Sequence, residues 1–202
     1  MLDPAVRRTI AAPLDRAAAA IDRPWLTPDS LTVAGLVVGI GAAVAAGYRY
    51  WWIALGLWLA SRLVDGIDGP LARRRSRAAQ GNQAGGFLDI MCDFVVYGSF
   101  VVGVAVGSGD PLTPFLLVLL AYYLNGSAFL AFSSIAERTG KQIDDGRSFS
   151  FLGGLAGGTE TIVVHSLWCI VPMYASEIAW VWATIVFISA AQRIVGGYRA
   201  LR

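Results

Sequence analysis

The chain has 202 residues, 56% hydrophobic and 15% charged, with a mean hydropathy of +0.59 and a formal net charge of +2. That is too apolar for a water-soluble domain of this length, and so small a net charge carries no nucleic-acid footprint. Cys92 and Cys169 lie in separate apolar segments without C-x-x-C spacing, which argues for two buried thiols over a disulfide framework or a zinc site.

From the N-terminus, Val6, Ile10, Leu14, Ala17, Ala18 and Ile21 recur at helical spacing against Arg7, Arg8, Asp15, Arg16 and Asp22. This pattern predicts an amphipathic helix within residues 1–23 that lies in the membrane interface, a helix capping the bundle being the alternative. No apolar run precedes Trp25, so a cleaved signal peptide is not expected. Thr27 or Asp29 is placed to cap the first membrane helix.

Six apolar spans follow, 31–46, 51–64, 87–106, 112–132, 161–173 and 178–195, so residues 24–202 are expected to form a six-helix transmembrane bundle and the whole chain a single all-α domain. Several spans are short for a full crossing. The second lengthens if its helix continues through the polar motif after Val64, with a kink or restart at Pro70, and the fifth if it draws on the Gly-rich stretch before it. Of the 16 Lys and Arg, only Arg49 falls in an outer turn when the N-terminus is inside, which places both termini in the cytosol. Asp110-Pro111 and Ser176-Glu177 read as outer turns. Gly35/Gly39, Gly103/Gly107, Gly153/Gly157 and Gly154/Gly158 are spaced for close helix approach.

At the cytosolic boundary stand four carboxylates, Asp65 and Asp68 at i, i+3 and Asp89 and Asp93 at i, i+4. Each pair shares a helical face, and two antiparallel helices would bring the pairs together. Charges at membrane depth mark function, and four acids so close would repel one another or take up protons unless a cation sat among them. A hard divalent ion, Mg²⁺ or Mn²⁺, suits carboxylate oxygens. With Arg73 to bind phosphate and Gly69 and Ala72 leaving room on the helix, such a cage fits a phosphate ester, and two ions would clamp the attacking and leaving oxygens.

The series Asp65-x2-Asp68-Gly69-x2-Ala72-Arg73, eleven residues, then Gly85-x3-Asp89-x3-Asp93 resembles the signature of the CDP-alcohol phosphotransferase family, and the six-span layout extends the resemblance over the chain. The run from Gly153 to Thr161 is similar to a feature of one bacterial branch of that family. The resemblance implies a membrane enzyme, commonly a homodimer, that moves a substituted phosphoryl group from a CDP-linked alcohol, for most bacterial members CDP-diacylglycerol, to an acceptor hydroxyl and releases CMP. It makes Asp65, Asp68 and Asp89 metal ligands and Asp93 a ligand of a second metal or the general base, the role we assign it. Gly69, Ala72, Arg73 and Gly85 would accommodate the CDP moiety. Where the family often has Pro-Asn before a Leu-Thr pair, this chain has Pro28-Asp29, then Leu31-Thr32.

The acceptor is expected to meet Lys141, Arg147, Glu160 or Arg193, although the positive-inside bias explains the cations and a first-turn position explains Glu160. Phosphatidylglycerophosphate formation is the first reading of the reaction, with inositol phosphate, serine or another alcohol as alternative acceptors. His165 reads as a hydrogen-bonded core residue, and Asn125 and Ser127 as helix-joining groups. A metal-ion transporter is the reading from another class; acids confined to one boundary and joined by an Arg-rich loop speak against it. A nonenzymatic lipid-binding protein would leave the acids without purpose.

Overall fold

The computed structural model describes residues 3–23, 25–76, 83–140 and 155–202, and the described residues form helices and no strand. They are α1 (Asp3–Ile21), α2 (Pro28–Gly47), α3 (Trp51–Ser76), α4 (Gln83–Ser108), α5 (Thr113–Arg138), α6 (Gly158–Ile170) and α7 (Ala175–Leu201), with a 3-10 turn at Pro172–Tyr174 before the last.

Among the described residues, four stretches are long and apolar enough to cross a bilayer: Pro28–Gly47, Ala84–Ser108, Thr113–Arg138 and Pro172–Leu201. The sequence predicts six crossings, and length with apolarity supports four as candidates among the described residues. With 26 residues, α3 reaches about 39 Å but carries Arg62, two acids and Arg73–Arg75; α6, with 13, reaches about 20 Å against a hydrocarbon core of ~30 Å. The two pack together, and Trp58 Nε1 donates to Ile162 O at 3.4 Å. A helix shielded by its neighbours does not need the hydropathy that lipid contact demands.

The bundle centres on α2, which packs against both α3 and α4, while α5 pairs with α7. Small residues make the α2–α4 approach possible. A Cβ on Gly103 would stand 2.2 Å from Ala43 O, and one on Gly107 2.0 Å from Ala46 O. The predicted small-residue faces at Gly35/Gly39 and Gly103/Gly107 thus lie inside the bundle; Gly153 and Gly154 lie outside the described residues. Trp58, Phe100, Phe115, Trp168 and Trp182 fill the interior. His165 is fully buried among them, with Nε2 2.9 Å from Tyr122 Oη, which accepts from Trp182 Nε1 at 2.7 Å, so it is the hydrogen-bonded core residue expected.

Several local expectations are resolved. Thr27, not Asp29, caps α2, in a reciprocal pair with Ser30: Ser30 N–H donates to Thr27 Oγ1 at 3.1 Å and Thr27 N–H to Ser30 Oγ at 3.0 Å. α3 does not restart at Pro70 but runs through it, giving up the one bond that a Pro70 N–H would have made to Gly66 O. Ser176 and Glu177 belong to the first turn of α7, and the reversal falls at Pro172–Tyr174. Ser176 N–H donates to Asp110 Oδ2 at 3.2 Å, so the α4–α5 turn satisfies a free N–H of α7.

The helix α1 is docked on α3. Ala18 is buried with Leu31 and Leu71, Leu14 lies against Gly66, and Asp22 Oδ1 accepts from Arg75 Nε at 3.1 Å and Nη2 at 2.7 Å. These contacts put α1 beside the Asp65–Asp68 turn.

Candidate metal centre

Two helices supply the acids: α3 carries Asp65 and Asp68, and α4 carries Asp89 and Asp93. Because both lean on α2, the spacing within each helix becomes a cluster between them. Asp65, Asp68 and Asp89 each offer an oxygen within 4.8 Å of the others'. Asp68 is buried, and Asp65 and Asp89 are half-buried.

The donor set fits a hard divalent ion. Three carboxylates in partial burial repel one another, and all-oxygen ligation suits Mg²⁺ or Mn²⁺ over softer metals. One oxygen of Asp68 is already oriented, since the buried Thr32 Oγ1 of α2 donates to Asp68 Oδ2 at 2.6 Å. Thr32 is thus a positioning residue, and its place in the Leu31-Thr32 pair was the signal for it.

Asp93 stands outside the triad, held by a residue that sequence reasoning counted only among the cytosolic positives. Arg62 Nη1 donates to Asp93 Oδ1 at 2.5 Å and lies 3.6 Å from Asp65 Oδ2. Its Nη2 donates at 3.1 Å to Ser61 Oγ, which donates at 2.7 Å to Gly35 O. The guanidinium carbon stands 5.3 Å from the Trp58 ring centre and 4.9 Å from that of Tyr97. A signal was present: Arg62 interrupts an otherwise apolar run three residues before Asp65, and an intramembrane arginine needs a partner.

The residues predicted to receive CDP continue along the cytosolic end of the same two helices. Gly69 and Ala72 are half-buried on α3, Arg73 is exposed, and Gly85 is half-buried in the first turn of α4. Arg73 folds back on Gly69, its Nη1 3.3 Å from where a Cβ would be, so a side chain at Gly69 would displace it. Arg75 is engaged with Asp22 and, at 2.8 Å, with Arg23 O.

Of the predicted acceptor residues, Lys141 and Arg147 lie outside the described residues. Glu160 Oε2 accepts from Gly157 N–H at 3.1 Å and closes the first turn of α6. Arg193 is buried on α7, with Nη2 3.5 Å from Ala156 O, and Ser189 Oγ one turn earlier accepts from Ala156 N–H at 3.2 Å. The structure therefore gathers Arg193 and Glu160 at one corner, around the turn that leads into α6.

The family model of CDP-alcohol phosphatidyltransferase matches residues 25–188. The inner membrane protein YnjF of Escherichia coli K12 is 36% identical over 208 residues, covering 100% of this chain and 98% of its own length. The phosphatidylinositol phosphate synthase of Mycobacteroides abscessus is 27% identical over 198 residues, covering 93% of this chain and 84% of its own. Crystal structures of the Mycobacterium tuberculosis phosphatidylinositol phosphate synthase share the fold. The one with CDP-DAG bound superposes with a TM-score of 0.71 at 19% identity, covering 92% of this chain and 93% of that one. The complex with manganese and citrate gives 0.73 at 20%, covering 92% and 88%.

Proposed function

The chain belongs to the CDP-alcohol phosphatidyltransferase family, and from that premise we propose that it transfers the phosphatidyl group of CDP-diacylglycerol to the hydroxyl of a small polar alcohol and releases CMP. The observation that carries the reading is the Asp65, Asp68 and Asp89 oxygen cluster beside the exposed Arg73. Those acids would hold Mg²⁺ or Mn²⁺, which when bound neutralises phosphate oxygens and polarises the phosphorus under attack.

The chain's own residues do the rest. Gly69, Ala72 and Gly85 leave space for the CDP pyrophosphate, and Arg73 donates to its oxygens. The acceptor oxygen forms a bond to the diacylglycerol-bearing phosphorus as the P–O bond to CMP breaks. Asp93, which Arg62 holds before the donor binds, takes the hydroxyl proton.

Lys141, Arg147, Glu160 and Arg193 are the acceptor residues we assign, with Glu160 acting through the turn that it caps. The cationic character of Lys141, Arg147 and Arg193 favours an alcohol that carries phosphate. Glycerol 3-phosphate is the acceptor first expected, and inositol phosphate has the support of the mycobacterial relative's name; serine or another alcohol is the alternative. We further assign residues 1–202 to one domain with six crossings in the bacterial cytoplasmic membrane, both termini and the site on the cytosolic side, and a homodimeric state. The distribution of Lys and Arg supports that orientation.

The test is CMP release by reconstituted protein with CDP-diacylglycerol and Mg²⁺, offered each alcohol in turn. Lipid product with one acceptor names the reaction. No CMP with any of them removes the proposal, and cation flux in its place would restore the transporter.

A further inference from the structure

We propose that Arg62 is an internal counter-cation of the carboxylate cluster, standing between Asp65 and Asp93 so that divalent ions load in order: the Asp65, Asp68 and Asp89 triad first, the Asp93 side only when Arg62 gives way. This rests on the reading of the triad as a metal centre.

The geometry is specific. One nitrogen, Nη1, serves both acids, at 2.5 Å from Asp93 and 3.6 Å from Asp65. A second ion shared by the same two acids would compete with that nitrogen. The guanidinium is built in: its side chain is 5% exposed, it faces the Trp58 and Tyr97 rings, and Nη2 is tied through Ser61 to the backbone of α2. Its Nε is buried without a hydrogen-bond partner, so the headgroup is held by its two terminal nitrogens alone. Such a group can pivot away from Asp93 without breaking a bond at Nε.

Charge balance gives the order its direction. Arg62 keeps its charge beside the cluster even when Nη1 leaves Asp93, because the side chain is buried and Nη2 is tied to Ser61, so four ionised acids with Arg62 and one divalent ion carry a net −1 and a second ion makes it +1. A positive cluster in partial burial is favoured only when an anion shares the site, and the pyrophosphate of a CDP-linked donor is such an anion. The second ion is therefore expected to arrive with the nucleotide.

The full chain in lipid nanodiscs is titrated with Mn²⁺, followed by calorimetry and by electron paramagnetic resonance, with and without CDP. The wild type should bind the first equivalent as an isolated ion and the second about tenfold or more weakly, and CDP should narrow that gap. In Arg62→Met, which keeps length and loses charge, the two affinities should approach to within about threefold and a spin-coupled pair should appear at two equivalents without CDP. Arg62→Lys should keep the order. Two equal sites in the wild type would overturn the inference, as would an Arg62→Met protein with an unchanged gap. Should that variant not fold, the wild-type titration still decides. An Asp93→Asn titration adds a second check, because it should retain the first ion and lose the second. Failure of the wild type to bind any Mn²⁺ removes the metal centre as well, whereas two equal sites leave it standing.

Discussion

The α3–α4 cluster and the corner around Ala156 both bury charged side chains, but they use them in opposite ways. At the corner, charged and polar groups meet backbone groups of opposite character: Glu160 accepts from Gly157 N–H, Ser189 from Ala156 N–H, and Arg193 reaches Ala156 O. In the cluster three carboxylates face one another, and the nearest cation, Arg62, is turned to Asp93 and only grazes Asp65. Charges matched to the backbone hold a turn in place; like charges gathered without a match await a ligand. The contrast separates the part of the site built for metal and pyrophosphate from the part whose residues double as scaffold.

The sharpest way to break the comparison is to remove one triad acid. Asp65→Asn, Asp68→Asn or Asp89→Asn should each lower CMP release by at least about 10²–10³-fold while leaving folding intact, because an amide keeps the volume and loses the charge that holds the ion. Chelation of the wild type should do the same and reverse on adding Mn²⁺. A triad variant that keeps more than a tenth of wild-type turnover would show that these acids are as structural as Glu160.

Asp93→Asn probes the fourth acid. It should lower kcat by about 10²–10⁴-fold, as expected for loss of a general base, and raise the donor KM with it, because the second ion that arrives with the nucleotide is lost. If the donor KM rises while kcat holds, Asp93 binds and does not take the proton.

Next in size is the packing that brings the pairs together. Gly103→Val on α4 would drive a side chain into Ala43 O, where even a Cβ would stand at 2.2 Å, at a cost of about 1–3 kcal/mol seen as a lower melting temperature. Mn²⁺ affinity should fall with it, since α2 is what aligns α3 with α4. Unchanged metal affinity in a destabilised variant would mean that the cluster forms without that approach.

Sequence reasoning reached the acids and not their neighbours for a physical reason. The i, i+3 and i, i+4 spacings of Asp65, Asp68, Asp89 and Asp93 are local, and helical periodicity alone aligns each pair. Thr32 on Asp68 and Arg62 on Asp93 are contacts over 36 and 31 residues, fixed by how α2, α3 and α4 lean together, which no local pattern encodes. Arg62 was further masked by the positive-inside bias, which gives every boundary arginine a sufficient reason to exist. The helices were legible from apolar runs, whereas α6 is confined to 13 residues between its N-cap at Gly157 and Pro172, which cannot continue it, so it falls short of its apolar run. The docking of α1 likewise joins residues far apart in sequence, Ala18 with Leu71 and Asp22 with Arg75.

The smallest expected effect lies at the corner. Glu160→Gln keeps an oxygen that can accept from Gly157 N–H but loses the charge that favours a helix N-terminus, a change of about 0.3–1 kcal/mol in stability. Arg193→Lys keeps the charge and loses the planar fork, which matters if a phosphate is gripped by two nitrogens and little if the side chain only reaches Ala156 O. Kinetics with varied acceptor separate the two uses. On the acceptor-binding reading, Arg193→Lys raises the acceptor KM several-fold, about 3–10-fold for a weakened charge-assisted contact, with the CDP-diacylglycerol KM unmoved. Glu160→Gln raises it less, because its effect passes through the turn. If both variants lose stability and neither shifts the acceptor KM, the corner is scaffold throughout, and acceptor recognition falls to residues 141–154 and to the cytosolic ends of α3 and α4.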